Sequence, residues 1–122
     1  MVCRLKLFYQ VSGQGPYLGQ AMWFIHYHQE YVPSAEIRYR EETRRVLGVL
    51  EKQLSREGSG GWLVLGRITI ADLSFLHWYL HAYRIEVYIE TEFPEVWKWM
   101  ERMKARPAIK AANAGARFPK PT

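Results

Sequence analysis

The sequence predicts an all-α fold, and three observations carry that prediction. A capped, apolar stretch runs from Thr69 to Leu80, a 3.6-residue stripe runs from Ser34 to Arg56, and Pro16, Pro94 and Pro107 each stand where a helix can begin. Only one short run, Val87-Tyr88-Ile89, has β-prone character, and a single short run cannot make a sheet.

Thr69 stands at an N-cap position, and Asp72 three residues on can reach back to its backbone N–H. Ile68 and Leu73 have the spacing of a hydrophobic staple across that start. From Ile70 to Leu80 apolar residues fall on nearly every side, which predicts a buried helix around which the others pack. The stretch is too short to span a bilayer.

Taken in order, residues 3–11 suggest a helix end in which Leu5, Phe8 and Tyr9 recur at helical steps. Ser12-Gly13-Gln14-Gly15-Pro16 reads as a loop, followed by a helix from Tyr17 to about His28 that turns Leu18, Met22, Trp23 and Ile25 to packing surfaces. Pro33 interrupts and Ser34 can cap the longest helix, whose stripe is Tyr39, Thr43, Val46, Leu47, Leu50 and Leu54. Glu36–Arg40, Arg38–Glu42 and Glu41–Arg45 are opposite charges four apart on its wet side. Gly58-Ser59-Gly60-Gly61 ends it as a turn. Residues 82–92 are ambiguous between helix and strand. Pro94 opens a helix carrying Val96, Trp97, Met100 and Met103 on one side, and Pro107 opens a last one to about Ala114. Residues 1–6 and 115–122 are expected to be poorly ordered. The whole of 1–122 reads as one domain.

Hydrophobic content of 48% and aromatic content of 15% exclude a disordered chain. The net charge of +5 favours anionic partners without naming one. Lys98, Arg102, Lys104, Arg106 and Lys110 are interleaved with Glu95 and Glu101 and accompany no nucleic-acid-binding motif, so they read as a solvated helix face and no nucleic-acid partner is expected. His77 and His81 share a helical face at the spacing of a zinc pair, but no Glu lies between them in H-E-x-x-H fashion and no third ligand is evident, so no metal is expected. Cys3 cannot form an internal disulfide, which fits a reducing compartment. With no signal peptide or membrane segment, a cytoplasmic location follows as the expectation.

Four ordered blocks carry a resemblance: S-G-Q-G-P-Y-L-G-Q (12–20), A-E-I-R-Y (35–39), W-L-V-L-G-R-I-T-I-A-D-L (62–73) and F-P-E-V-W-K-W-M-E-R-M-K-A-R-P-A-I-K (93–110). Together they resemble the C-terminal helical domain of cytosolic glutathione transferases over about residues 7–112. The nearest branch holds the fungal nitrogen-regulator prion-like proteins and the bacterial nu class. The resemblance implies a right-handed bundle of five or six helices around a central helix at about 69–82. It also places Gln14, Tyr17, Gln20 and Arg38 on the cleft between domains, where phenol, amide and guanidinium groups suit an anionic or thiol ligand. A plainer account is that Gly13, Gly15 and Gly19 permit a tight turn and close helix approach.

In that family a separate thioredoxin-like domain activates the thiol of glutathione and holds the peptide through a cis-proline and a Glu-Ser pair. This sequence offers no room for such a domain before Ser12 and contains no Glu-Ser dipeptide, so the main glutathione site is expected to be absent and catalysis is left undecided. Two departures from relatives stand out: the order Glu36-Ile37 before Arg38, and Leu65 where relatives have Gly, which shifts the turn onto Gly66. The implied function is a glutathione-transferase-like protein handling or conjugating a reactive apolar or anionic small molecule, such as a fungal secondary metabolite. The alternative is a non-catalytic dimerisation or interaction module of the kind elongation factor one-gamma uses. Either a homodimer or a thioredoxin-fold partner chain would fit, with the helices at 3–12, 17–28 and 34–56 at a dimer interface.

Overall fold

A computed structural model describes residues 2–64 and 66–115 of the chain. Leu65 and the tail from residue 116, for which a shifted turn and fraying were expected, lie outside the described residues. The helices are α1 (Val2–Tyr9), α2 (Gly15–Met22), α3 (Pro33–Ser55), α4 (Ile70–Tyr79), α5 (Ile89–Glu92), α6 (Pro94–Lys104) and α7 (Pro107–Gly115). Among the described residues there is no strand, only an isolated bridge between Val64 and Arg67.

The expected loop at 12–16 is instead helix. One π-helical segment, Gln10–Gln14, joins α1 to α2 and a second, Trp23–Tyr27, extends α2, giving one rod whose junction residues Tyr9, Gln14, Gly15 and Met22 all keep right-handed helical angles. Pro16 explains the local widening. Its ring would strike the Ser12 carbonyl in an ordinary α-turn, and the i→i+5 bond from the Gly15 N–H to the Gln10 carbonyl opens that turn. The glycines therefore serve a helix and not a tight turn. The amino-terminal residues, expected to be poorly ordered, enter α1 from Val2.

α3 buries Thr43, Val46, Leu47, Leu50 and Leu54, the expected stripe. Its start differs: Pro33 is the first helical residue and Val32, not Ser34, is the cap, with no side-chain bond. Arg40 and Arg44 of α3 reach across space and not along the helix. Arg40 donates to the Ile85 carbonyl at 2.8 Å, while Arg44 donates to the Glu86 carbonyl at 3.1 Å and to Glu92 at 2.8 Å. Arg45 pairs with Glu42 three residues back, at 3.0 Å.

Arg40 and Arg44 settle the ambiguous stretch. Ala82–Ile85 is a 3-10 turn, and Glu86 ends it in the left-handed region at φ 63°. Ile85, Val87 and Ile89 then alternate inward, Ile89 as the first residue of α5.

The start of α4 is built as expected. The Thr69 hydroxyl accepts from the Ala71 N–H at 3.2 Å and Asp72 accepts from the Thr69 N–H at 2.8 Å. Asp72 does more: it is fully buried and also accepts from the Leu63 N–H at 3.0 Å, the Thr69 hydroxyl at 3.1 Å and the Trp99 indole at 2.8 Å. Trp99, and not Trp97, is thus the fully buried tryptophan of α6, beside Val96, Met100 and Met103. The N-terminus of α6 has no local side-chain cap. Glu51 of α3 supplies it, accepting from the Glu95 and Val96 N–H groups at 3.0 and 2.9 Å.

One expectation about α4 is corrected. Only the face carrying Ala71, Asp72, Phe75, Leu76 and Tyr79 is buried, whereas Ile70 is 64% and Leu73 41% exposed. Apolar residues all round show what a helix can bury, but only the side with neighbours buries them. Likewise Cys3, Leu7 and Tyr9 of α1 pack on the core, while Leu5 and Phe8 are exposed.

Gly61 closes the turn after α3 at φ 81°, and a Cβ there would lie 2.7 Å from the Arg102 guanidinium, which donates to the Gly61 carbonyl at 2.6 Å. Only glycine meets both demands.

Candidate functional site

The rod and the start of α3 bring together an aromatic ladder. The Tyr17 ring lies 6.4 Å from that of Tyr39, and Tyr39 stacks on Phe24 at 5.7 Å with 12° between planes. Phe24 meets His28 edge-on at 5.2 Å, and Trp23 stacks with Tyr27 at 6.4 Å. The Arg38 guanidinium sits 5.8 Å from the centre of the Tyr39 ring, within cation–π range. Of the residues singled out by resemblance, Tyr17 and Arg38 therefore meet on Tyr39. Gln20 is exposed three residues beyond Tyr17 on the same helix.

Gln14 is placed differently. It is 2% exposed, donates to the Phe75 carbonyl at 2.8 Å and accepts from the Gln10 amide at 3.0 Å. Both ends of its amide are used, so it ties the rod to α4 from behind the exposed surface. Tyr39 and Phe24 are the residues sequence reasoning missed. The recurrence of Tyr17, Gln20, Phe24, Tyr27 and Tyr31 at three- and four-residue steps is the signal that marks one face of the rod.

On the other side of α2, a hollow of about 270 Å³ is lined by Leu18, Met22, His77, Trp78, His81 and Arg84. A Cβ at Gly15 or Gly19 would lie 3.7 or 3.8 Å from the Trp78 ring, an ordinary contact. His77 and His81 face each other edge-on at 5.4 Å. Burial, reinforced by His77 and Arg84, holds the His81 imidazole below its usual range. Among the described residues no group of three His, Cys, Asp or Glu side chains is placed to hold a metal ion.

Tyr9 and Tyr79 are phenols whose oxygens are buried, and burial pushes both up, Tyr79 strongly, away from ionisation. Cys3 is half-buried with its sulfur 3.9 Å from the Thr69 hydroxyl. The basic residues of α6 are engaged: Lys98 with Glu95 at 3.0 Å, Lys104 with Glu101 at 2.7 Å, and Arg102 with Gly61. No helix among the described residues is long and apolar enough to cross a membrane. The ladder can thus stack on a ring, donate from a phenol or amide, and pair with an anion.

Comparison with known proteins agrees with this architecture. The glutathione S-transferase-like protein tpcF of Aspergillus fumigatus is 45% identical over 117 residues, an overlap that covers 88% of this chain and 52% of that protein. Glutathione S-transferase 1 of Schizosaccharomyces pombe is 48% identical over 118 residues, covering 86% of this chain and 50% of the relative. Among solved structures, Ure2p in complex with glutathione superposes with a TM-score of 0.87 at 42% identity, over 91% of this chain and 53% of that one. The chain spans about half the length of these relatives. Residues 16–107 match the family model of the glutathione S-transferase C-terminal domain, and the chain belongs to that family.

Proposed function

We propose that the aromatic ladder is one wall of a glutathione-transferase-type cleft that handles a reactive apolar or anionic small molecule. The observation that carries this reading is the exposed Arg38 set over Tyr39 beside Tyr17, in a chain of this family. Tyr17 donates a hydrogen bond, Gln20 orients, Arg38 pairs with a carboxylate, and Gln14 fixes the wall from behind. None of these groups is an activated nucleophile, so thiol activation and most of the grip on glutathione fall to a thioredoxin-like fold. Leu5, Phe8, Ile70 and Leu73, exposed on the adjoining helices α1 and α4, offer it an apolar surface. A cytoplasmic setting and a role in fungal secondary metabolism go with this reading.

The test combines the chain with the thioredoxin-like half of a fungal relative and measures S-hexylglutathione binding and turnover of 1-chloro-2,4-dinitrobenzene. Arg38→Ala should weaken binding about fivefold, the worth of one partly exposed charge contact, with the fold intact. Equal affinity would remove Arg38 from the site. The same apolar surface also supports a second reading, a non-catalytic homodimerisation module. A stable dimer in light scattering, with no retention on immobilised glutathione, would favour it.

A further inference from the structure

A hollow of about 410 Å³ opens where the C-terminal end of α3 meets the 58–66 loop, and it shares no residue with the aromatic ladder. Gln53, Arg56, Glu57, Ser59, Trp62 and Leu63 line it. Most small-molecule sites are mainly apolar, whereas this one is lined chiefly by polar groups.

The loop fixes its shape. Ser59 donates to the Leu54 carbonyl at 2.9 Å and accepts from the Gly61 N–H at 3.1 Å, while Arg102 holds the Gly61 carbonyl and Asp72 the Leu63 N–H. With the Ser59 hydroxyl engaged in this way, the polar side chains that can meet a ligand are Gln53, Arg56 and Glu57. The half-buried Gln53 amide offers both donors and an acceptor.

The charges at this end of the molecule are unbalanced. Lys6 of α1 is half-buried, and burial together with the Arg56 guanidinium holds its ammonium below the ordinary lysine range. The two cations are within electrostatic reach of each other. Neither forms an ion pair among the described residues, unlike Lys98 and Lys104 of α6. The carboxylate at the hollow, that of Glu57, is exposed and pairs with neither. A dianion set between Lys6 and Arg56 would replace their repulsion with two attractions.

We propose that this hollow binds a small phosphate monoester rich in hydroxyl groups. The phosphate sits between Arg56 and Lys6, where a guanidinium fork and an ammonium suit a dianion. The hydroxyls turn to the Gln53 amide and the Glu57 carboxylate, and the carbon face rests on Trp62. The Trp62 ring is itself held by Arg102, whose guanidinium lies 5.5 Å from its centre. Glu57 makes a bare anion a poorer fit, because its carboxylate repels charge and accepts only from hydroxyls.

The probe is glucose 6-phosphate, titrated into the chain and followed by NMR at the Trp62 indole N–H and the Gln53 side-chain amide. Glucose, inorganic phosphate and phosphatidylcholine vesicles containing phosphatidic acid are separate arms. The expected result is saturable binding of the ester that moves both signals, with glucose and inorganic phosphate each at least about tenfold weaker. Arg56→Gln and Lys6→Gln should each weaken the ester about fivefold. Arg56 is exposed, so its variant keeps the fold, and Lys6→Gln should leave the denaturation midpoint no lower because it removes a repulsion. Ester affinity unchanged in both variants, inorganic phosphate bound as tightly as the ester, or binding to the vesicles alone would overturn the proposal.

Discussion

Asp72 and Arg38 are both charged, and both lie in sequence blocks that mark the family. Asp72 is fully buried and accepts from two backbone amides, a hydroxyl and an indole. Arg38 lies exposed over one aromatic ring, and the ion pairs on its helix go to Arg40, Arg44 and Arg45. A carboxylate can be taken out of water only when its lone pairs are filled, so Asp72 is committed to structure. Arg38 stays in water, with its guanidinium over the Tyr39 ring. The T-x-A-D signature thus identifies the fold because it builds the fold, and it says little about chemistry.

The largest expected effect breaks the inward charge. Asp72→Ala strands the donors of Leu63 and Trp99 in the core and should cost about 3 kcal/mol or more, read as a shift in the denaturation midpoint. Glu51→Ala uncaps α6 across space and should cost about 1.5 kcal/mol. Thr69→Ala removes the local half of the capping box for about 1 kcal/mol. If any of the three left the midpoint unchanged, the contrast between inward charges that hold the fold and exposed ones that do not would weaken.

The smallest effect concerns pH. Because the folded imidazole of His81 is held below the ordinary value of 6.5, the unfolded chain takes up its proton first as pH falls. Stability from this group is complete above that value and is lost as pH drops through the folded pKa. His81→Gln should flatten that part of the stability–pH curve between neutral and mildly acid conditions. A curve identical to that of the parent chain would remove His81 as its source.

Much of the fold was legible because it depends on neighbours in sequence: the α3 stripe, the Thr69 cap and helix starts at prolines. What was not legible depends on partners far along the chain. Leu63 and Trp99 lie 9 and 27 residues from Asp72, and Glu51 caps residues 44 and 45 away. Spacing within α3 pointed Arg40 to Glu36, yet the Ile85 carbonyl and the Glu86 carboxylate, both far along the chain, take it instead. The 12–16 stretch read as a loop because a π turn leaves no trace in apolar periodicity. Of the residues singled out by resemblance, Tyr17 and Arg38 are the two that the fold brings together. Tyr39, which joins them, read only as part of a core stripe, and Gln14 proved to belong behind the surface.

The most direct test of the central claim is native-state hydrogen exchange at Leu63 and Thr69. Both amides lie outside helices and would exchange quickly if nothing held them. With Asp72 accepting from both, they should exchange only through global unfolding, at the free energy of core amides such as Leu50, and should lose that protection in Asp72→Asn. Fast exchange in the parent chain, or protection that survives the substitution, would contradict the account.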